Sequence, residues 1–345
     1  MKKGHLLIGI IIIVFSLYYA FKNVSLSELG MALISVNYAY LLPAVLMVVM
    51  SYILRAIRWR YLISSVKDVR VVSIFSPLMV GFMANMLPAR AGEFIRAYLL
   101  GKKENISFSA SFATIFIERL FDMSLVLFLL FIVLFFRGEI FSTTNSEANH
   151  RLIGYMIKFG WVSLIGVIFI LIFSLFLQYR NEWAMKIVHI IIRPLPERWG
   201  YNIISMVQSF TNGLSVIKNK KGFLVTVILS FLIWTNFVAL YYPLYLAFDI
   251  QTRVPLIPSL LVLNLTIAIF ITLFPTPGFL GAFQAACVVA LHEIFMVPKV
   301  TAASYGIVAW LVTMGTTIAV GTIFVIKDNI SLKQLTTDSE RVKQP

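Results

Sequence analysis

The sequence is poor in charged residues and in the residue types that build disulfides or metal sites. Only 13% of its 345 residues are charged, against about a quarter in soluble domains, which excludes an ordinary soluble enzyme. A single cysteine, Cys287, cannot form an internal disulfide. The four histidines are far apart in the chain, and no Walker loop, dinucleotide glycine motif or H-E-x-x-H sequence occurs. We therefore expect no metal and no cofactor.

Apolar residues make up 60% of the chain and fall in long runs. A bilayer core needs roughly 20 apolar residues per helix. The first run lacks the small-residue cleavage pattern of a secretory signal, so it is retained as a helix. We predict an all-α polytopic membrane protein with about six transmembrane helices, at Leu6–Phe21, Tyr38–Ile57, Phe108–Phe136, Leu152–Leu177, Phe223–Phe248 and Thr301–Ile326.

Two further apolar stretches, Ser73–Leu87 and Leu256–Phe274, are each followed by a break rich in Pro and Gly and then by a second apolar run. Backbone freed by such a break at membrane depth must be buried in protein or line a wet cavity. Each stretch is therefore predicted to be a re-entrant helical hairpin. The alternative for the second stretch is two complete crossings.

Basic residues predict the orientation of the chain. The net charge is +14, and nearly all the charges lie between apolar runs, which indicates anionic lipid rather than nucleic acid as the partner. With six crossings and a cytosolic N-terminus, 22 Lys and Arg are cytosolic, 6 are outside and Arg119 lies within a span. We predict a plasma-membrane protein with both termini cytosolic.

The order span, hairpin, span occurs twice, in residues 38–136 and 223–326, with the hairpins entering from opposite faces. Inverted repeats with broken helices are an architecture of transporters. We treat residues 1–330 as one membrane domain. Between the units, residues 181–221 have the pattern of an amphipathic helix, either at the inner interface or packed on the bundle. Residues 331–345 are predicted to be a disordered cytosolic tail.

The break in the first hairpin holds the most informative motif: Asn85, Pro88, Arg90, Gly92, Glu93 and Arg96. A half-helix that starts near Ala91 offers unpaired backbone N–H groups and a positive dipole end. Arg90 adds a cation suited to bidentate phosphate contacts. We predict an anion site at the hairpin tip. The alternative is that these residues only mark the start of a helix, with Pro88 before its first turn and Glu93 complementing its dipole. That alternative does not explain Arg90.

Three charged residues, Glu118, Arg119 and Asp122, lie within the Phe108–Phe136 span. Glu118 and Asp122 share a helix face, and Arg119 is spaced to pair with Asp122. Charges at such depth are costly and usually face the bundle interior. Their role is either in substrate binding or in an ion-pair cluster that braces the first hairpin, in which a carboxylate holds Arg90 or Arg96.

Two remaining motifs are interpreted more simply. Arg55, Arg58 and Trp59 end a span on the cytosolic side, where snorkelling arginines and an interfacial Trp explain them, with headgroup attraction second. In the second hairpin, glycines permit close backbone approach or a hinge, and Gln284 is the hydrogen-bonding side chain that follows. The break of that hairpin comprises Pro275, Pro277, Gly278 and Gly281.

These motifs together resemble the lysylphosphatidylglycerol synthase transmembrane-region family, the flippase-like domain of bacterial bifunctional aminoacyl-lipid synthases. The resemblance implies a lipid translocase fold and polar-lipid substrates. Phe279 stands where the family commonly has a second Gly, and Gln284 where it commonly has Glu. Only a short tail follows Ile326, so no aminoacyl-transferase activity is expected. A stand-alone member is the closer comparison.

Three functions follow as hypotheses. The first is a flippase that moves a polar phospholipid or glycolipid between leaflets. The second is an integral-membrane enzyme that uses Glu118, Asp122 and Arg90 on a lipid-linked substrate. The third is a non-catalytic membrane partner of a lipid-modifying enzyme. The first is preferred, because His, Cys and metal-ligand clusters are absent from the sequence pattern.

Overall fold

The computed structural model describes residues 3–86, 91–136, 147–179, 183, 185, 186, 197–214 and 220–330. Within these ranges the regular structure is helical, with no strand. The helices, numbered here in chain order, are α1 (Lys3–Phe21), α2 (Leu26–Ile34), α3 (Leu41–Ile63), α4 (Val71–Ala84), α5 (Gly92–Glu104), α6 (Phe108–Phe135), α7 (Glu147–Tyr179), α8 (Glu197–Gly213), α9 (Lys220–Ala247), α10 (Leu256–Leu273), α11 (Ala282–Val288), α12 (Lys299–Trp310) and α13 (Thr316–Lys327).

Six helical segments of the described chain are long and apolar enough to cross a membrane, which confirms a polytopic membrane protein with about six spans. They are Tyr38–Ile63, Ile153–Phe173, Lys220–Ala247, Leu256–Leu273, Pro277–Ile294 and Lys299–Lys327. A bent pair, Ile10–Phe21 and Leu26–Ile34, would raise the number to seven. The set differs from the predicted one in three places. Helix α6, which carries the charged cluster, is not in it. The first predicted span enters only as part of the bent pair, and the two arms of the predicted second hairpin, Leu256–Leu273 and Pro277–Ile294, are both in it.

The first hydrophobic segment is part of the bundle. Helix α1 packs against α11 at Gly281, where an added Cβ would lie 3.0 Å from the carbonyl oxygen of Ile13 and 3.0 Å from the Cβ of Ser16. At the end of α1, the Tyr19 hydroxyl donates a hydrogen bond to Glu293, at 3.3 Å. The chain then turns by 77° into α2, which begins with a capping box between Ser25 and Glu28.

Helices α4 and α5 form the first hairpin. A Cβ added at Gly81 would lie 2.6 Å from the Cβ of Arg96 and 2.8 Å from the carbonyl oxygen of Gly92. Only glycine allows backbones to approach this closely. The two ends of the hairpin also meet, because Lys67 Nζ donates to the carbonyl oxygen of Glu104 at 2.5 Å. The hairpin geometry is therefore present, and its re-entrant placement in a membrane stays a prediction.

Helices α10 and α11 form the second hairpin, with a 3-10 turn, Pro277–Phe279, at its tip. Helix α11 continues as a π-helix, Val289–Ile294. The ring of Phe248, just before α10, contacts the ring of Tyr305 in α12 at 5.6 Å between centroids. Both arms, Leu256–Leu273 and Pro277–Ile294, are long and apolar enough to cross a membrane, so the re-entrant placement of this hairpin stays a prediction.

The tips of the two hairpins touch. The backbone N–H of Gly278 donates to the carbonyl oxygen of Asn85 at 3.2 Å, and Trp310 Nε1 donates to the carbonyl oxygen of Gly278 at 2.8 Å. Gly278 has φ +59° and Gly281 has φ +81°, a left-handed region that favours glycine. The inverted repeat and the division into two units stay predictions.

Helix α8 falls within the segment predicted to be amphipathic. Its last turns pack on α6, where an added Cβ at Gly213 would lie 2.6 Å from the Cβ of Ala113 and Phe210 contacts Phe116 edge-on at 5.8 Å. Of the two alternatives, packing on the bundle is thus observed for this end. Residues 187–196 of the predicted segment and the tail at 331–345 lie outside the described residues.

Candidate functional site

Arg58 of α3 is the centre of a buried ion-pair network. Its side chain has no exposed surface, and Nη1 donates to Asp122 Oδ1 at 2.7 Å and to Ser230 Oγ at 3.0 Å. Its Nη2 lies 3.1 Å from Glu118 Oε1. Since Glu118 and Asp122 are one turn apart on α6, a single guanidinium group reaches both carboxylates. Helices α3, α6 and α9 are thereby joined.

Two further arginines complete the network. Arg96 Nη1 of α5 lies 3.2 Å from Glu118 Oε2, so the predicted bracing of Arg96 by a carboxylate is observed. Arg119 Nη2 lies 3.1 Å from Glu118 Oε1 and 3.4 Å from Asp122 Oδ2, in the pair expected from its spacing. Arg119 Nε lies 3.3 Å from Glu93 Oε1. The first hairpin is therefore fastened to α6 by Arg96 and Glu93.

Arg55 differs from the other arginines because it has no carboxylate partner among the described residues. Its guanidinium carbon lies 5.0 Å from the ring centroid of Phe82 and 4.7 Å from that of Phe237. Its Nε is buried without a hydrogen-bond partner in the described chain. Cation–π contacts of this kind hold an arginine in place without neutralising its charge.

Arg55, Arg96 and Arg119 line one end of a cavity of about 260 Å³, to which both halves of the chain contribute residues. On α3 the lining runs from Arg55 to Val48, and on α6 from Arg119 to Val126. Seven residues of helix separate the charged from the apolar positions on each helix, a rise of roughly 10 Å. The cavity is thus cationic at one end and apolar at the other.

Several predicted site residues meet at the charged end of this cavity. Asn85, Gly92, Glu93, Arg96, Arg119 and Asp122 all line it, while Glu118 lies behind them, fully buried. Asn85 Oδ1 also accepts from the backbone N–H of Gly92 at 3.2 Å, which caps the start of α5. The predicted tip residues Pro88 and Arg90 lie outside the described residues.

The snorkelling interpretation is wrong for Arg58 and Trp59. Both side chains are buried in the protein, and Trp59 Nε1 donates to Thr114 Oγ1 at 2.9 Å. The reason is that α3 continues to Ile63, six residues beyond the predicted span, so these positions face α6 rather than the headgroups. Arg60, one position further, is the exposed arginine of this turn.

Gln284 does not line the cavity. Its side chain is 3% exposed, and its Oε1 accepts from the backbone N–H of Gly281 at 2.8 Å, which caps α11. Pro275, Pro277, Gly278 and Gly281 lie in the tip of the second hairpin as predicted. Phe279, the other departure from the family pattern, has φ +59° and lines the cavity. This backbone conformation explains why glycine suits the position.

Sequence reasoning missed the residues that the second half contributes. Trp234 Nε1 donates to Asp122 Oδ1 at 3.4 Å, and Phe237 covers Arg55. Asn264 of α10 lines the cavity, with an Oδ1 that has no protein partner among the described residues. An Asn within an apolar span was an available signal, since polar side chains at membrane depth are rare and functional. Trp234 and Phe237 gave no comparable signal in the sequence.

Comparison with known proteins agrees with the architecture. The family profile described as "Lysylphosphatidylglycerol synthase TM region" matches residues 6–321. The chain belongs to this family. As a member of the lysylphosphatidylglycerol synthase transmembrane-region family, it is an integral membrane protein of a type associated with lipids. The resemblance inferred from the motifs is confirmed.

Curated relatives of this family member are UPF0104 membrane proteins. One from Methanothermobacter thermautotrophicus is 26% identical over 298 residues, which cover 80% of this chain and 82% of the relative. One from Methanocaldococcus jannaschii is 26% identical over 214 residues, 59% of this chain and 60% of the relative. The chain thus spans somewhat over half the length of the latter relative. No solved structure matches this chain.

Proposed function

We propose that this protein moves a polar lipid, a phospholipid or a glycolipid, between the two leaflets of its membrane. The observation that carries the proposal is the cavity, which joins a cationic end at Arg55, Arg96 and Arg119 to an apolar end at Val48 and Val126. A lipid has the same division, with a polar headgroup and apolar chains. We further propose that the headgroup is held as an anion beside the first hairpin.

The alternative function, chemistry on a lipid-linked substrate, needs a carboxylate free to transfer a proton. In the described structure Glu118 and Asp122 are both engaged by guanidinium groups, at 3.1–3.2 Å and 2.7–3.4 Å respectively. This engagement supports a binding role for the cluster over an acid–base role. A role as a non-catalytic partner of a lipid-modifying enzyme remains the third hypothesis.

Reconstitution in liposomes tests the proposal. Vesicles carry a headgroup-labelled phospholipid in both leaflets, and a membrane-impermeant quencher reports how much becomes accessible from outside. We expect the wild-type protein to expose the inner-leaflet label, and mass spectrometry to find the lipid chemically unchanged. Label that stays in the inner leaflet would contradict transport of that lipid, and a modified lipid would favour the enzyme.

A matched pair of variants ties transport to the cavity. Ala268→Trp places an indole in the space that α10 lines, and we expect lipid movement to be lost. Ile257→Trp, on the same helix, changes a side chain that is 67% exposed and should leave movement unchanged. Lipid movement at the wild-type rate in both variants would show that the lipid takes another path.

A further inference from the structure

The described residues at the charged end of the cavity do not balance in charge. Four arginines lie in this lining or directly behind it, Arg55, Arg58, Arg96 and Arg119, against the three carboxylates of Glu93, Glu118 and Asp122. Each carboxylate already lies within 3.4 Å of at least one guanidinium group. The excess is one positive charge, and Arg55 is the arginine left without a carboxylate.

All four arginines of this end have a buried N–H donor without a hydrogen-bond partner in the described chain. Arg58 does not line the cavity, and Arg119 Nε lies 3.3 Å from a Glu93 oxygen. This leaves Arg55 and Arg96 as the residues whose free donors can meet a ligand. Arg96 is 1% exposed, and its Nη2 and Nε have no hydrogen-bond partner within the described chain. The Nε of Arg55 is likewise buried and unpartnered. Buried donors left unpaired cost free energy unless a ligand satisfies them. Both residues line the cavity, so a ligand there is within reach of them.

Aromatic rings fix the two arginines around one corner of the cavity. The ring of Phe82 is contacted by both guanidinium groups, with Arg55 at 5.0 Å and Arg96 at 5.8 Å from its centroid. Trp59 lies under Arg96 at 5.1 Å, and Phe237 lies against Arg55 at 4.7 Å. A pair of planar cations held in this way is pre-organised for one oxyanion with at least two acceptor oxygens.

We propose that Arg55 and Arg96 form a binding site for a single monoanionic phosphodiester, the headgroup phosphate of a phospholipid. This inference rests on the proposed function and narrows its lipid class, because a neutral glycolipid would leave the excess charge uncompensated. One phosphodiester carries one negative charge and two free oxygens. The apolar lining beyond Val48 and Val126 accepts the acyl chains.

Binding to the purified full chain in neutral detergent tests the site without requiring transport. The probes are short-chain phosphatidylglycerol, a short-chain neutral glucosyl diacylglycerol and inorganic phosphate, each measured by calorimetry. We expect the phosphatidylglycerol to bind tighter than the glycolipid by roughly tenfold to a hundredfold, from one or two charged hydrogen bonds. Inorganic phosphate, which lacks acyl chains, should bind more weakly than the phospholipid.

Variants assign the preference to Arg55. Arg55→Gln removes the uncompensated cation and leaves every ion pair of the network in place, so the variant should fold while its preference for the phospholipid falls to about twofold or less. Arg60→Gln, on the same helix with a side chain 42% exposed, should keep the wild-type preference. Arg96→Lys keeps the ion pair with Glu118 but loses the paired N–H donors of the planar guanidinium group, so it should weaken phospholipid binding.

Other outcomes overturn the site. Equal affinities of the wild-type protein for the phospholipid and the glycolipid would do so, as would a full preference in Arg55→Gln. Inorganic phosphate that binds as tightly as the phospholipid would assign the site to a soluble phosphate ester instead. Failure of the proposed function looks different, because selective binding would persist in a protein that moves no lipid in vesicles.

Discussion

Arg58 has two carboxylates to hold and no contact with solvent, so its loss is expected to be costly. Removing one partner of a buried pair leaves uncompensated charge and destabilises a protein by about 3–5 kcal/mol. We predict that Arg58→Gln lowers the thermal unfolding midpoint strongly or prevents folding, as read by fluorescence-detected size exclusion. Arg60→Gln, which loses a surface pair with Asp68, should change the free energy of unfolding by less than about 0.5 kcal/mol.

Asn264 presents the opposite case, a buried polar group with no protein partner in the described chain. Replacing such a group by an apolar one of similar shape is near neutral or stabilising. We predict that Asn264→Leu leaves the unfolding midpoint unchanged or raises it. Asn236→Leu removes a 3.0 Å bond to the carbonyl oxygen of Met47 and should cost about 1 kcal/mol. A larger loss in Asn264→Leu than in Asn236→Leu would contradict this account.

Among the elements, the first hairpin depends on small residues where α4 and α5 cross. An added methyl at Gly81 meets the Cβ of Arg96 and the carbonyl oxygen of Gly92, neither of which can rotate away. We expect Gly81→Ala to destabilise the protein by about 1–3 kcal/mol and to displace Arg96 from the cavity, with weaker phospholipid binding.

The control for this prediction is Gly166→Ala on α7, where an added Cβ meets nothing within 4 Å. Alanine favours helix over glycine by about 1 kcal/mol at most, so this variant should be as stable as the wild type or slightly more so. Thermal unfolding of both variants in one detergent measures the difference. Equal stabilities would mean that the two helices can separate without penalty.

The sequence predicts the elements and the local part of the site, because both depend on spacing along the chain. The Arg119 and Asp122 pair follows from three residues of separation. The bond from Arg58 to Asp122 spans 64 residues, and the one from Arg58 to Ser230 spans 172. No periodicity encodes such pairings, so an arginine near the end of an apolar run was assigned to the interface. Where the helices pack decides which side it faces.

At the scale of the whole molecule, thiol labelling tests the predicted orientation in the membrane. In a Cys287→Ser background, we predict that Thr252→Cys and Met296→Cys are labelled by an impermeant thiol reagent from outside intact cells. Lys102→Cys and Asn329→Cys should be labelled only after permeabilisation. Thr252 and Met296 flank the second hairpin, and Met296 is 70% exposed. Lys102 and Asn329 lie in segments predicted to be cytosolic.

A residue at the tip of the second hairpin separates the two topologies, because α10 and α11 return the chain to the same face whether they form a re-entrant hairpin or two complete crossings. Pro275 is an exposed residue of this tip. Labelling of Pro275→Cys only after permeabilisation would make α10 and α11 two crossings and would remove the basis of the inverted repeat. Labelling of Thr252→Cys and Met296→Cys from opposite sides would contradict both topologies. Labelling of Asn329→Cys in intact cells would contradict the cytosolic C-terminus that the distribution of Lys and Arg predicts.

The contact between the hairpin tips has a consequence for how the protein can vary. Its donor and acceptor are the main-chain atoms of Gly278 and Asn85, so replacing the Asn85 side chain leaves both atoms in place. The hydrogen bond between the two halves therefore depends on the backbone conformation of the tips and not on the side chain at position 85. A motion that shifts one tip must carry the other along or give up this bond, worth about 0.5–1.5 kcal/mol, which thermal motion can supply.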